Sequence, residues 1–317
     1  MSKVFRYCFF VLLLVYGTVD AQVIPRFNPD TLQTIQLDSA VNITAERLSV
    51  ETFIRAVTAD TSFYQAFRNM KKYAFTAENS IYSYDKKNKV NGRLYRKVKR
   101  ENSAPWLEYL VKQDTGRMFK KNGKHELYTV EMFDYIFMNA YQSAHSSNSF
   151  GGGKADNSNA SYKEKLKTLI FSPGRPVKGL PFIGSKTEIF TANMRQYYDY
   201  SFHSGTYLDS IPVYRFKVVV KPDLSKWTKD GLMIKELTTI FDKRNFEILG
   251  RYVDMKYSNM LFDFNVQMNI EMRYFGEEKL PAKISYQGNW NVPMKKPERA
   301  SVLVLQRDYH QGKGKNN

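Results

Sequence analysis

Side chains that could act as nucleophiles or general bases form no known catalytic motif in this sequence. His203 and Ser204, followed by Gly205, are the nearest approach to a nucleophile beside a base. The Ser-x-x-Lys match from Ser83 to Lys86 is what chance supplies in a chain rich in both residues. No Gly-x-Ser-x-Gly elbow occurs. The sequence therefore favours a protein without catalytic activity, and a hydrolase is the weakest alternative.

Metal and nucleotide sites are also poorly supported. The four histidines are scattered, and none forms the His-x-x-x-His or His-Glu-x-x-His spacing of a zinc site. They are His125, His145, His203 and His310. Gly174 and Gly179 have the spacing of the two glycines of a phosphate-binding loop, but Leu180 and Pro181 occupy the positions where Lys and Ser or Thr are required. We therefore expect no metal and no cofactor.

Positive charge is concentrated in residues 86 to 100, which contain eight basic residues and no acidic one. The whole chain has 48 Lys and Arg against 31 Asp and Glu, a formal net charge of +17. Such a segment is typical of a patch for an anionic partner, such as lipid head groups, lipopolysaccharide phosphates or an acidic polysaccharide. The expected patch residues are Arg93, Arg96, Lys97, Lys99 and Arg100. Lysines that protect a sheet edge from aggregation would give the same pattern, and this alternative stays open.

The clearest strand signal is residues 262 to 274 (FDFNVQMNIEMRY), where apolar and polar residues alternate at every position. At about 3.3 Å per residue this strand would run roughly 40 Å, a length usual in barrels and strongly curved sheets. A second, aromatic stripe lies on one side of another predicted strand. The candidate ligand-lining residues of the two strands are Phe262, Phe264, Met268, Met272, Tyr198, Tyr200 and Phe202. The alternative is that these side chains simply fill half-buried strands.

Two amphipathic helices are predicted ahead of the strands. The first begins at Ser49, and the second begins near Asp60, where Asp, Thr and Ser offer caps. Their expected buried side chains are Phe53, Ile54, Val57, Phe63, Phe67 and Met70. Together with the strands they predict a mainly β (α+β) fold. We expect a strongly curved antiparallel sheet, or half-barrel, with the N-terminal helices packed on its concave face.

Turn signals and composition divide the rest of the chain. Asn91-Gly92, Asp114-Thr115-Gly116 and Asn122-Gly123 indicate turns of an antiparallel meander after Tyr73. Later strands are expected at residues 187–203, 212–221, 232–242, 246–257, 260–275, 280–290 and 299–306. We expect an extended arm over 22–45, one curved-sheet domain over 46–309 with a mobile loop at 143–161, and a polar tail over 310–317.

The first 21 residues are typical of a secretory signal peptide. Lys3 and Arg6 give a positive start, and residues 7 to 16 form an apolar run too short to span a bilayer. Val19-Asp20-Ala21 is a small-residue cleavage site. We therefore expect an exported protein of the periplasm or outer cell envelope, with no transmembrane segment after signal removal. Export argues against nucleic acid as a partner, and cleavage removes Cys8, the one cysteine.

Two stretches carry a family resemblance: residues 166–184 (LKTLIFSPGRPVKGLPFIG) and the C-terminal block 237–298. They resemble uncharacterised exported proteins of the Bacteroidota. The long alternating strands are similar, at the level of the fold, to the half-barrel carriers of outer-membrane lipoprotein sorting, the LolA/LolB type. This resemblance implies a curved sheet that could hold a lipid.

Two hypotheses about function follow. The first is a soluble, non-catalytic cell-envelope protein that binds or carries a lipid or other amphiphile in its curved sheet, with the basic patch at the head groups. The second is a structural or assembly factor of the envelope, with a filled core and protein partners. They differ in whether the interior of the sheet is hollow or filled.

Overall fold

The computed structural model describes residues 48–101, 107–138, 170–175, 184–258, 263–291 and 296–311, together with the backbone of Ile35–Leu37. The predicted signal peptide, the loop at 143–161 and Phe262 lie outside the described residues, as does most of the predicted arm. Within the described part the fold is mainly β, as predicted.

The strands form one antiparallel sheet of eleven strands within the described residues. They are β1 Ile35–Leu37, β2 Tyr73–Tyr84, β3 Val90–Arg100, β4 Glu108–Gly116, β5 Tyr198–Tyr207, β6 Ile211–Val220, β7 Ile234–Asp242, β8 Ile248–Ser258, β9 Asp263–Phe275, β10 Glu278–Asn291 and β11 Glu298–Gln311. Their order in the sheet is β1-β5-β6-β7-β8-β9-β10-β11-β2-β3-β4. The sheet is curved and not closed, so β1 and β4 are its two edges.

Short helices accompany the sheet. The α-helices are α1 Val50–Ala59, α2 Ser62–Asn69, α3 Tyr128–Phe133, α4 Ala192–Arg195 and α5 Lys226–Gly231. A π-helical turn, Asp134–Met138, continues α3. Short 3₁₀ turns span Met70–Lys72 and Gly184–Thr187. None of the described helices is both long and apolar enough to cross a bilayer.

The caps of α1 and α2 lie where the sequence predicts them. The hydroxyl of Ser49 accepts a hydrogen bond from the Thr52 N–H at 3.3 Å. The carboxylate of Asp60 accepts from the Ser62 and Phe63 N–H groups, each at 3.1 Å. Each bond satisfies an amide that has no partner inside its helix, which is why the helices begin there.

The apolar faces of α1 and α2 pack against the strands, and the six predicted buried residues are all buried. Phe53 of α1 stacks on Phe216 of β6 with ring centroids 5.3 Å apart and contacts Phe202 of β5 at 4.7 Å. Helix α2 lies against β8 and β10. We call the sheet face that bears this main apolar core the inner face, and the opposite face the outer face.

A corner of the sheet covers part of the outer face. Tyr207, at the end of β5, donates its hydroxyl to the carbonyls of Met272 (2.9 Å) and Leu249 (3.3 Å). A second, smaller apolar cluster forms around it. The polar residues Asn269 and Glu271 of β9 are buried on this side, although strict alternation would leave them in water. Glu271 accepts hydrogen bonds from Asn269 and Lys283, both at 2.9 Å, which offsets the cost of burying its charge.

Some predicted boundaries were wrong. Asn91-Gly92 lies inside β3, and the chain turns instead at residues 85–89, where the carboxylate of Asp85 accepts from the Lys87 and Lys89 N–H groups. Asp and Lys therefore form the turn, with Asn88 at a positive φ of 61°. The turn at Asn122-Gly123 is confirmed, since Gly123 has a φ of 77°. Residues 187–197, predicted as strand, instead include the end of a 3₁₀ turn and α4.

Candidate functional site

The predicted ligand-lining residues lie on the inner face and are mostly core. Phe264, Met268, Met272 and Tyr198 are buried in the main apolar cluster, and Tyr200 and Phe202 are partly buried against it. The hydroxyl of Tyr198 donates to the Ile234 carbonyl at 2.9 Å. That of Tyr200 donates to the Ile189 carbonyl at 2.6 Å, and burial raises the pKa of Tyr200 to about 12.

One apolar cavity of about 70 Å³ opens between α3 and the inner face. Its walls are Tyr128, Thr129, Met132, Phe133, Ile136, Phe137, Ile170, Met255, Val266, Met268, Tyr286 and Trp290. Met268 is the one predicted lining residue among them. A cavity that takes up benzene measures about 150 Å³, so this volume is too small for an acyl chain. Within the described residues, the space beside Met268 is therefore nearly filled.

Helix α3 supplies one wall of this cavity, and a glutamate on β11 fixes where it begins. Glu298 accepts hydrogen bonds from the N–H groups of Tyr128 (2.7 Å) and Thr129 (2.9 Å), and from the Thr129 hydroxyl (2.8 Å). It replaces the N-cap side chain that Leu127 cannot offer. This helix was not predicted from the sequence, although Thr129, Phe133 and residues 136–137 have the spacing of one helical face.

The π-helical turn after α3 is held by a buried ion pair. Arg96 of β3 donates two hydrogen bonds to Asp134, the one from Nη1 being 2.9 Å long. His125 Nε2 lies 3.0 Å from the same carboxylate. Burial alone would raise the pKa of Asp134, but the hydrogen bonds from Arg96 and His125 hold it below its usual range. Among the described residues, this cluster joins β3, the hairpin before α3 and the π turn.

The predicted anionic-partner patch is divided between two faces. Along β3 the side chains alternate, so Arg96 and Arg100 point into the protein and are only 3% and 5% exposed. Arg100 donates through Nη1 to the carbonyls of Met70, Lys71 and Tyr73, at 2.7–3.0 Å. These two arginines therefore belong to the interior, which corrects their expected place on the surface.

The remaining patch residues, Arg93, Lys97 and Lys99, point to the outer face. Lys97 lies 3.5 Å from Glu78, and Lys99 pairs with Glu101. Arg93 has no carboxylate partner among the described residues, and its guanidinium lies 5.7 Å from the ring centre of Tyr82. Whether this half of the patch binds an anion stays a prediction.

The outer face around Arg93 combines cations with aromatic and aliphatic side chains. It spans β11, β2, β3 and β4, where cross-strand partners share a face. Its cations are Arg93, Lys97, Lys99, Arg299 and Arg307, its acids are Glu78, Glu101, Glu108 and Asp308, and its larger uncharged residues are Tyr82, Tyr84, Tyr95, Leu303 and Leu305. We call this set the basic outer face. Positive charge exceeds negative charge on it by five to four.

A third arginine is buried beneath the helices. Arg251 of β8 is 2% exposed and donates to the Phe171 carbonyl at 2.8 Å. Its guanidinium lies 4.5 Å from the ring centre of Phe63, and its Nε and Nη2 have no hydrogen-bond partner in the described part of the chain. Burial lowers the pKa of Arg251 to about 10. Arg251 and Arg100 both bind backbone carbonyls, so part of the chain's basic charge serves internal packing.

The candidate nucleophiles are not assembled into a site. His203 is exposed and Ser204 is buried, since neighbours in a strand point to opposite faces. Ser83 donates to the side chain of Asn91 at 2.5 Å, and Lys86 is exposed in the following turn. In the described ranges, no three His, Cys, Asp or Glu side chains are grouped so that they could hold a metal ion.

Comparison with known proteins adds no relative. No family model, no curated protein and no solved structure matches this chain. Its function is therefore argued from the sheet and its surfaces.

Proposed function

We propose that this protein is a non-catalytic binding protein of the cell envelope that holds an acidic polysaccharide on its basic outer face. The observation that carries the proposal is the contrast between the two faces of the sheet. On the inner face, the predicted lining residues are core side chains and the cavity beside them is too small for an acyl chain. On the outer face, Arg93, Lys97 and Lys99 are accessible beside Tyr82 and Tyr95.

The expected cellular location and the expected shape of the sheet both support this function. The signal-peptide pattern of residues 1–21 supports export to the periplasm or outer envelope. The resemblance to exported Bacteroidota proteins and to half-barrel lipoprotein carriers points the same way. In this proposal α1 and α2 lie on the concave side of a half-barrel, and the basic outer face is its convex side.

An extended anionic polymer suits the spacing of the basic outer face. Arg93, Tyr95, Lys97 and Lys99 alternate with buried residues along β3, so their side chains follow one another at about 7 Å. Repeating carboxylates or phosphates can pair with the cations, and tyrosine rings offer flat apolar surface between them. Because Arg93 has no carboxylate partner among the described residues, we expect its guanidinium to contribute most to binding of the polymer.

Binding of polygalacturonate, measured by calorimetry with neutral dextran as the control ligand, tests this proposal. The double variant Arg93→Glu/Lys97→Glu should bind at least about tenfold more weakly, and wild-type affinity should fall steeply with salt. The matched control Lys121→Glu/Lys124→Glu makes the same change in charge on the exposed turn around Asn122 and should bind as wild type does. Equal binding by both double variants would remove the basic outer face from the proposal.

The apolar cavity under α3 favours a second candidate function, the binding of an amphiphile. Its walls are almost entirely apolar and include Met268, but its 70 Å³ would have to grow by displacement of α3. Native mass spectrometry of the protein from an exporting host, followed by solvent extraction, tests this candidate. A stoichiometric lipid-sized adduct supports it. A bare mass that takes up no offered lipid excludes it and leaves the polysaccharide or a protein partner.

A further inference from the structure

Trp227 is the most exposed large apolar side chain among the described residues. It is 91% exposed, whereas the next, Tyr109, is 54% exposed. Trp227 lies on α5, the short helix that connects β6 and β7. An indole held almost wholly in water forgoes a large apolar burial, so its position needs a physical reason.

The helix that carries Trp227 is firmly attached to the sheet. Ser225 caps α5 by accepting from the Thr228 N–H at 3.2 Å. The ammonium of Lys229 donates to the Pro222 carbonyl at 2.6 Å, and that of Lys186 donates to the Gly231 carbonyl at 3.0 Å. Directly after α5, Leu232 and Met233 are buried. The indole of Trp227 is therefore carried by a helix whose position is fixed by these hydrogen bonds.

The surroundings of Trp227 are basic and polar. The residues beside it on α5 and its N-cap are polar or charged, so among the described residues it belongs to no apolar patch. The charged residues of the connection and its flank are Lys186, Lys221, Lys226, Lys229, Lys235 and Lys256 with Asp223, Asp230, Glu236 and Asp254. Cations outnumber acids here by six to four. Lys186, Lys229 and Lys235 donate to backbone carbonyls, so they help to hold α5 in place. The remaining lysines are Lys221, Lys226 and Lys256, and we call these three the lysine collar.

We propose that α5 is a bilayer contact, in which Trp227 inserts its indole into the interfacial layer of an anionic membrane while the lysine collar meets the phosphates. Tryptophan is enriched at this depth because its ring is apolar and its N–H is polar. Lysines near an anionic leaflet add attraction at each charge. Energetic anchors in protein interfaces sit in well-packed pockets surrounded by other contacts, whereas this indole is isolated among lysines.

This contact is independent of the polysaccharide proposal. Helix α5 joins β6 to β7, and the basic outer face begins at β11, four places further along the sheet order from β7. Charge reversal at Arg93 and Lys97 should therefore leave binding at α5 in place. The two proposals can fail separately.

Co-sedimentation with two kinds of vesicle tests the bilayer contact, using the protein purified from an exporting host. The vesicles contain phosphatidylglycerol and phosphatidylethanolamine in equal parts, or phosphatidylcholine alone. Wild type should bind the anionic vesicles, and Trp227→Ala should bind them about tenfold more weakly, because interfacial binding scales with buried apolar area. Tryptophan fluorescence should shift to the blue on binding in wild type, and this shift should be absent in Trp227→Phe.

Matched variants separate the indole and the charge from other causes. Lys226→Glu should weaken binding to anionic vesicles about fivefold or more, whereas Lys121→Glu, an exposed lysine on another turn, should not. Leu110→Ala removes an exposed apolar side chain from the edge strand β4 and should also bind as wild type. Because Trp227 and Lys226 are exposed, their variants should unfold at the wild-type denaturant midpoint. The proposal is overturned if wild type leaves anionic vesicles unbound, or if Trp227→Ala binds them as tightly as wild type.

Discussion

Arg96 on β3 and Asp134 in the π turn are joined by two hydrogen bonds, and this pair fastens the wall of the apolar cavity to the sheet. Arg96 is almost wholly buried, so its charge depends on Asp134 for compensation. The same carboxylate lies 3.0 Å from His125 in the preceding hairpin. The position of α3 thus depends on polar contacts at both of its ends, Glu298 at the first and Asp134 at the second.

The first prediction concerns the loss of this ion pair. Asp134→Ala should lower the free energy of unfolding by about 3–5 kcal/mol, because it leaves the guanidinium of Arg96 buried without its partner. Arg93→Ala, on the outer face of the same strand, should change it by no more than about 0.5 kcal/mol. Urea unfolding followed by circular dichroism measures both. Equal, small losses would mean that the Arg96–Asp134 pair is not buried as described.

The second prediction is a pH dependence that follows from the lowered pKa of Asp134. Its ordinary value is 3.8, and the folded value lies below this. A depressed folded pKa stabilises the protein fully above the unfolded pKa, and this stabilisation is lost as the pH falls through the folded pKa. The stability difference between wild type and Asp134→Asn should therefore be constant near neutral pH and should shrink below about pH 4. A difference that grows on acidification contradicts this assignment.

The third prediction concerns the glutamate that caps α3. Glu298→Ala should cost about 1–2 kcal/mol and should speed amide hydrogen exchange at Tyr128 and Thr129, whose N–H groups lose their acceptor. Glu298→Gln keeps a carbonyl oxygen as acceptor and should lose less. Exchange at the two amides that is unchanged in Glu298→Ala would show that they have another partner.

The fourth prediction tests the size of the cavity. Val266 lines it, so Val266→Ile can place one more methyl group in empty space and should raise the free energy of unfolding by about 0.8 kcal/mol. Val218, fully buried on β6 with cross-strand partners that do not line the cavity, is the control. Val218→Ile should lower stability by about 1–3 kcal/mol because buried side chains are closely packed. Destabilisation by Val266→Ile as large as that by Val218→Ile would rule out a cavity at this place.

Much of the fold follows from local patterns in the sequence. The helix caps at Ser49 and Asp60 lie at the predicted positions because capping depends on residues within one turn of each other. Strand β9 covers nearly the whole predicted segment, since alternation of apolar and polar residues is a strong signal over thirteen positions. The prediction of a turn at Asn91-Gly92 was wrong because these residues lie within β3, where the strand pairs with β2.

The candidate surfaces were less predictable, because they depend on which face a side chain occupies. Within the basic segment, Arg96 and Arg100 alternate with Lys97 and Lys99, and only burial of one face tells the two pairs apart. Asp134, the partner of Arg96, lies 38 residues further along the chain. Glu298, which caps α3, lies about 170 residues after the helix begins. Trp227 carries no local sign of exposure, because its isolation depends on how the β6–β7 connection folds.

The order of the strands has a consequence for how the chain is made. Strand β2 lies between β3 and β11 in the sheet. The hydrogen bond between the hydroxyls of Tyr84 and Ser301 links residues that are 217 positions apart. During synthesis, β2, β3 and β4 emerge before the seven strands β5 to β11, and β2 has an unpaired edge until β11 has been added. Closing so long a loop is slow, and an open strand edge during that interval invites association with other chains. The final strand, β11, is therefore the piece that ends this period of exposure.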